Sequence, residues 1–201
     1  MSFVINDAYL PATLTAQPMT DDEFAVFCAE HPDLNFEMSA EGEIIVMAPT
    51  NFFTGASNFE VAGELRTWAR KDGRGIGSDS STGFVLPNGA RRSPDAAWTL
   101  KSRVKALDAP QRRGFLHLCP DFVIEIKSNS DRLRMLQSKM REYIENGAQL
   151  GWLIDPQKQS VEIYRPQGAS TTHLGIMNLE GEAPVNGFVL DFRYVWDPMA
   201  D

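Results

Sequence analysis

The stretch Phe122-Val123-Ile124-Glu125-Ile126-Lys127 decides how this chain is read. An extended strand turns alternate side chains to one face, so Phe122, Ile124 and Ile126 point one way while Glu125 and Lys127 point the other. The run is apolar enough for a core strand, which places a carboxylate and an ammonium on one side of a buried element. Burying such groups costs several kcal/mol unless they are paired, hydrated or bound to a metal. A third charge, Asp95, stands upstream in Pro94-Asp95. Two carboxylates and a lysine of this kind make divalent-metal chemistry a candidate.

Composition sets the frame around that strand. A chain of 201 residues that is 43% hydrophobic fills one sizeable core, and no linker rich in Pro, Gly or Ser divides it. One domain over residues 1–201 is expected, with 1–19 and 197–201 peripheral. Cys28 and Cys119 form no metal-like pair, and the first residues lack the basic and apolar regions of a signal peptide. The expectation is a reduced cytoplasmic protein without a membrane span, since no apolar run reaches the roughly 20 residues a bilayer requires.

The net charge of −8 argues against a nucleic-acid partner until its distribution is considered. Between Arg91 and Arg141 there are 12 Lys or Arg against 5 acids, so this segment is strongly positive and the remainder strongly negative. The basic segment contains Asp95, Glu125 and Lys127. That coincidence fits a local phosphate-binding face on a chain otherwise charged for solubility, although a set of solvated faces gives the same pattern.

Helical and strand periods organise the rest. Thr20-Asp21-Asp22-Glu23 reads as a capped helix start, ending before Pro32. Leu34 to Met38 and Ile44 to Ala48 read as a hairpin around Glu41-Gly42, and Phe52 to Lys71 as a long amphipathic helix stopped near Gly73. Thr82 to Leu86, Arg92 to Trp98 and Phe122 to Lys127 read as strands. After Ser128-Asn129-Ser130, a candidate cap, the stripe Leu133, Leu136, Met140, Tyr143 and Ile144 predicts a helix ending at Gly147. Trp152 to Ile154 and Val161 to Tyr164 pair around Asp155-Pro156, and Gly187 to Trp196 packs as a last strand or lid. The long basic link from Thr99 to Cys119 has room for a short helix from Val104 onward. This order predicts a mixed α/β (α+β) domain, a central mixed sheet flanked by helices, with an N-terminal helix and hairpin.

Pro94-Asp95 followed by Glu125-Ile126-Lys127 at the end of an apolar strand, then a helix, resembles the PD-(D/E)XK nuclease superfamily and its restriction-endonuclease-like core. The setting narrows the resemblance: Phe36-Glu37-Met38, Met47-Ala48-Pro49-Thr50, Thr82-Gly83-Phe84, Arg92-Ser93-Pro94-Asp95, Cys119-Pro120-Asp121-Phe122, Lys139-Met140-Arg141-Glu142-Tyr143 and Gly151-Trp152-Leu153-Ile154-Asp155-Pro156. In that combination residues 20 to 195 are similar to the bacterial Uma-two family of restriction-endonuclease-like proteins. The resemblance implies that Asp95, Glu125 and the main-chain carbonyl of Ile126 hold Mg²⁺ or Mn²⁺, and that Lys127 orients or deprotonates the attacking water. Many relatives keep the lysine on the following helix, where Lys139 stands, so the role is open to sharing. The superfamily often adds a glutamate from the helix before the sheet: Glu60 is the candidate and Glu37 its rival. Glu60 also lines up with Glu64, Thr67 and Lys71, the pattern of a solvent stripe, and Lys139 also suits a side chain snorkelling over the core.

Other chemistries fit poorly. His31, His117 and His173 lie in separate elements, and no Walker loop, nucleophile elbow or dinucleotide fingerprint follows a strand. The reading is a metal-dependent endonuclease hydrolysing DNA through a metal-activated water, with a homodimer as a possible assembly. Its alternative is a nuclease-like fold without turnover that binds nucleic acid or a protein partner.

Overall fold

Helix α1 (Asp21–Glu30) starts where the sequence places its cap: the backbone N–H of Thr20 donates to the Glu23 carboxylate at 2.7 Å, and the N–H of Glu23 to Thr20 Oγ1 at 3.3 Å. The computed structural model describes residues 12–15, 19–47, 50–112 and 114–200, so Ala48, the last residue of the expected hairpin, lies outside them. Strands β1 (Ala12–Thr15), β2 (Asn35–Met38) and β3 (Glu43–Met47) form an antiparallel unit. Phe36 and Met38 turn inward against Phe24, Ile44 and Val46, which sends Glu37 to the opposite face.

Helix α2 (Phe52–Asp72) is capped by Asn51 and ends on Gly73, whose φ of 70° is the left-handed conformation that favours glycine. Then come β4 (Gly75–Asp79), β5 (Phe84–Val85), β6 (Arg91–Arg92), β7 (Ala96–Leu100), the short helix α3 (Lys101–Ala106) and β8 (Phe122–Ile126). Helix α4 (Leu133–Glu145) crosses over to β9 (Leu150–Asp155), which pairs in parallel with β8, and β10 (Ser160–Tyr164) and β11 (Thr171–Leu174) complete the sheet. That sheet has the order β11-β10-β9-β8-β7-β4 and is otherwise antiparallel, hence mixed as expected. The second sheet runs β1-β3-β2-β6-β5.

The expected strand Arg92 to Trp98 is two strands in two sheets. Pro94 has no N–H to continue a ladder and pushes its neighbour toward extended backbone, so the chain leaves the hairpin sheet after Arg92 and joins the central sheet at Ala96. Thr82 to Leu86 shrinks to β5 for a related reason: its N-terminal part is held by Leu116, through the bond from Leu116 N to the Gly83 carbonyl at 3.0 Å. The short helix in the link begins at Lys101, three residues before Val104. The expected serine cap is displaced too, because Ser128 N and Oγ both donate to Asp131 at 2.7 Å and close a turn, leaving Arg132 as the uncapped N-terminal flank of α4.

Two apolar layers sandwich the central sheet. On one face Phe122, Ile124 and Ile126 pack with Trp98, Trp152 and the Val61–Leu65 side of α2, sealed by Phe188 and Phe192 of the C-terminal segment. That segment forms the ribbon β12 (Asn178–Glu180) with β13 (Val189–Asp191) and the turn of helix α5 (Arg193–Trp196). On the other face Val123, Ala97 and Leu153 meet Leu136, Met140 and Tyr143 of α4. Gly151 permits that approach: a Cβ there would fall 2.5 Å from the Met140 methyl. Among the described residues no helix is long and apolar enough to cross a membrane.

Candidate active site

The break between β6 and β7 sets the position of Asp95. Continuing the β7–β8 register, in which Ala96 faces Ile124, by one residue places Asp95 opposite Glu125. Directly opposed residues in such a pair have Cβ atoms about 4.5 to 5.5 Å apart. Where the ladder stops, the Ile126 N–H donates to Asp95 Oδ2 at 2.7 Å in place of a backbone bond. In an extended strand the N–H and C=O of one residue face the same side, so the Ile126 carbonyl also faces Asp95. The other carboxylate oxygen, Oδ1, accepts from Asn58 Nδ2 of α2 at 3.1 Å.

Glu125 lies at the centre of a buried charge network. Lys139 of α4 donates to Glu125 Oε1 at 2.8 Å and to Glu37 Oε1 at 2.7 Å, and Tyr143 Oη donates to Glu125 Oε1 at 3.0 Å. Glu37 also accepts from Arg92 Nη1 at 3.1 Å and from the N–H of Ser93 at 2.9 Å, while Arg92 Nε reaches Glu142 at 2.6 Å. Glu37 and Glu125 are each 4% exposed and Lys139 9%. Four elements, β2, β6, β8 and α4, thus bring their charges to one point. With all groups ionised, Glu37, Asp95, Glu125 and Glu142 outnumber Arg92 and Lys139, leaving an excess of negative charge.

Protonation follows from that imbalance. Burial pushes Glu125 up to about 8 and Asp95 up to about 6; their mutual proximity adds to the rise at Glu125, and Lys139 opposes it at both. Burial would raise Glu37 as well, but Lys139 and Arg92 overcome it and hold Glu37 below the usual carboxylate range. Burial disfavours the charge on Lys139, yet Glu125 and Glu37 hold its pKa above the ordinary lysine value. Lys139 is therefore an ammonium between two acids, one ionised and one prone to keep its proton.

A cavity of about 310 Å³ opens on Asp95, Glu125 and Lys139, with Asn58, Ser93 and Ser128 among its walls. Of the sequence candidates, Asp95, Glu125, Ile126, Glu37 and Lys139 line it. Lys127 and Glu60 stand apart. Lys127 follows the last residue of β8, and its Nζ turns back to the Ser128 carbonyl at 2.8 Å. Glu60 is half-buried on α2 and outside the lining, whereas Asn58, two residues earlier, reaches Asp95. Arg92, Glu142, Tyr143 and Asn58 were not marked as site residues by sequence reasoning. A signal existed for one of them, because Tyr143 lies on the same inward stripe as Leu136, Met140 and the candidate Lys139.

The donor set suits a hard divalent cation. Among the described residues no three of His, Cys, Asp and Glu converge into a ready-made cage. Mg²⁺ is commonly held by one or two carboxylates and retains several waters. Asp95, Glu125 and the Ile126 carbonyl offer that pattern of oxygens. Asn58 Oδ1, buried and without a hydrogen-bond partner among the described residues, is a further oxygen beside them, suited to a bound water.

Comparison with known proteins agrees with this architecture. No curated protein matches the chain. A crystal structure of a "putative nuclease" from Anabaena variabilis ATCC 29413 superposes with a TM-score of 0.72 at 20% identity, covering 89% of this chain and 98% of that one, so the two share a fold. The sequence model of the Uma2 family, described as "Putative restriction endonuclease", matches residues 21–193. That span contains the whole network from Glu37 to Tyr143, and the chain belongs to the Uma2 family.

Proposed function

We propose that this chain is a Mg²⁺- or Mn²⁺-dependent endonuclease that hydrolyses phosphodiester bonds of DNA. One observation carries the reading: Lys139 links Glu125 to Glu37 at the floor of an open cavity whose charge stays negative after every internal pairing. A buried network left short of positive charge contributes little to stability by itself, so a cation and a substrate give it a reason to exist. Asp95, Glu125 and the Ile126 carbonyl are the proposed ligands. The bound cation supplies a water of lowered pKa and polarises a phosphate oxygen.

The chain's own groups do the remaining work. Glu37 and Arg92 fix Lys139 so that its ammonium stays at Glu125, where it orients the attacking water and stabilises charge developing on the phosphate. Tyr143 holds the same Glu125 oxygen from the helix side. Asn58 and the Ile126 N–H fix both oxygens of Asp95. Lys127, tied to Ser128, is assigned no more than a contact to the substrate backbone.

A cleavage assay on supercoiled and linear DNA with Mg²⁺, Mn²⁺ or chelator tests this. Asp95→Asn and Lys139→Met are each expected to slow cutting by roughly 10² to 10⁴, the range for losing a positioned catalytic group, with Lys127→Met near wild type. The reverse ranking of the two lysines would move the role to Lys127. Absence of cutting under every metal would favour a non-catalytic binding module.

A further inference from the structure

Beside the acidic cavity, across the Lys139–Glu37 pair, lies a second one of about 460 Å³ between β3 and the first half of α4. Its walls are of another kind. Ile45, Met47, Met135 and Leu136 make most of their surface apolar, the Lys139–Glu37 pair, Arg92, Asp131 and Glu142 add charge to them, and Arg132 and Arg134 stand at the mouth. Both arginines are exposed, and neither makes an ion pair or side-chain hydrogen bond among the described residues. They occupy the start of α4, where the helix dipole disfavours cations and where acids are the usual choice. Met135 is 45% exposed, a large apolar side chain left at the rim.

We infer that this cavity receives one unstacked nucleobase of the strand held at Asp95 and Glu125, with the flanking phosphates on Arg132 and Arg134; the inference rests on the nuclease reading of the neighbouring site. The size lies within the range of cavities that enclose small organic ligands. Met47 and Met135 provide polarisable thioethers, which make favourable contacts with aromatic rings. Arginine forks match phosphate oxygens and supply the charge complementarity that an apolar slot alone lacks. The Lys139–Glu37 pair is common to both cavities, so a base in one and its phosphodiester in the other belong to adjacent positions on a single strand. A base inside a paired stack cannot enter. The preferred substrate is thus single-stranded or locally unpaired DNA, in which unstacking costs least.

The test uses Glu125→Gln protein without divalent metal, so that binding is read apart from cleavage. The probe is a single-stranded oligodeoxynucleotide carrying 2-aminopurine, whose fluorescence rises when the base leaves the stack. Adding Met135→Trp, which fills the mouth from an exposed position, is expected to abolish that rise. Adding Arg132→Ala and Arg134→Ala together is expected to weaken binding at least tenfold and to flatten its salt dependence by about 0.7 in log–log slope per lost phosphate contact. Unchanged fluorescence in the Met135→Trp protein, or no binding of single strands, would overturn the inference. Two results separate it from the nuclease reading. Metal-dependent cutting that Met135→Trp and the arginine changes leave unaltered removes the base cavity and keeps the nuclease. Binding of dAMP that Met135→Trp blocks, in a protein that cuts nothing, keeps the cavity and removes the nuclease.

Discussion

On one face of β8, Phe122, Ile124 and Ile126 close against Trp98, Trp152 and Phe188; on the other, Glu125 meets Lys139 and Tyr143. Both faces are buried and come from the same five residues, yet they are held by different physics. The aromatic face gains from area removed from water, roughly 25 cal/mol per Å², and is indifferent to direction. The charged face depends on hydrogen bonds of defined length to partners from β2, β6 and α4, and replacing such networks by apolar side chains is often neutral or stabilising. The first face holds the sheet together, and under the proposed function the second serves the chemistry.

The largest expected effect separates the two faces directly. Phe122→Ala should destabilise the fold by about 3 to 5 kcal/mol, the cost of a large buried cavity. Glu125→Gln, whose amide oxygen still accepts from Lys139 and Tyr143, should change stability by no more than about 1 kcal/mol while eliminating cleavage. Denaturant unfolding of both variants, with a cutting assay on the second, makes the comparison. An equal loss of stability in the two would make the charged face structural and remove the distinction.

A smaller effect should appear in the pH dependence of the metal-free protein. Burial raises Glu125 from 4.5 to about 8 and Asp95 from 3.8 to about 6, so the folded state binds these protons more tightly than the unfolded chain does. Their stabilising contribution is complete below the unfolded values and is lost as pH rises through about 6 and then about 8. Glu37, held low, works in the opposite sense and contributes above its unfolded value. Melting temperatures from pH 5 to 8 should therefore fall for wild type relative to Glu125→Gln. Mg²⁺ at pH 8 should restore wild type alone, since a ligand bound only to the folded state stabilises it by RT ln(1 + [L]/Kd). Parallel curves would mean that Glu125 does not carry the proton.

The aromatic face was legible in the sequence and the charged face only partly, for reasons that particular residues make clear. Strand alternation sorted Phe122, Ile124 and Ile126 from Glu125 because a period of two is a local property. It also placed Lys127 beside Glu125, but β8 ends at Ile126, and past a strand end the side chain follows its own contacts. Lys139 was open between a share in the catalytic lysine role and snorkelling over the core. Its place on the buried stripe with Leu136, Met140 and Tyr143 favoured the inside, though only packing against β8 and β2 supplied the two carboxylates. The change of sheet at Ser93-Pro94-Asp95 joins segments distant in sequence, as do the bonds from Arg92 to Glu37 and Glu142. No local period encodes these, and β4, with its Gly-Ile-Gly-Ser-Asp composition, is a strand solely because β7 offers it an edge.

The smallest expected effect contrasts two neighbours on α2, one turned toward the charged face and one away from it. Asn58 donates to Asp95 Oδ1, and removing a partner from a buried carboxylate costs about 1 to 3 kcal/mol. Glu60 is half-buried and lines neither cavity, so its loss should stay within about 0.5 kcal/mol, as for surface changes away from special features. In the proposed enzyme, Asn58→Ala should also loosen Asp95 and raise the Mg²⁺ concentration needed for half-maximal cutting, by roughly the 10- to 100-fold seen when outer-shell partners of metal ligands are removed. Saturating Mg²⁺ should recover most of the rate. Glu60→Ala should leave both the rate and the Mg²⁺ requirement unchanged. If Glu60→Ala proves the more damaging at saturating metal, the helix contributes its carboxylate rather than its amide, and the cavity closes around the substrate in an arrangement that differs from the one in this structure.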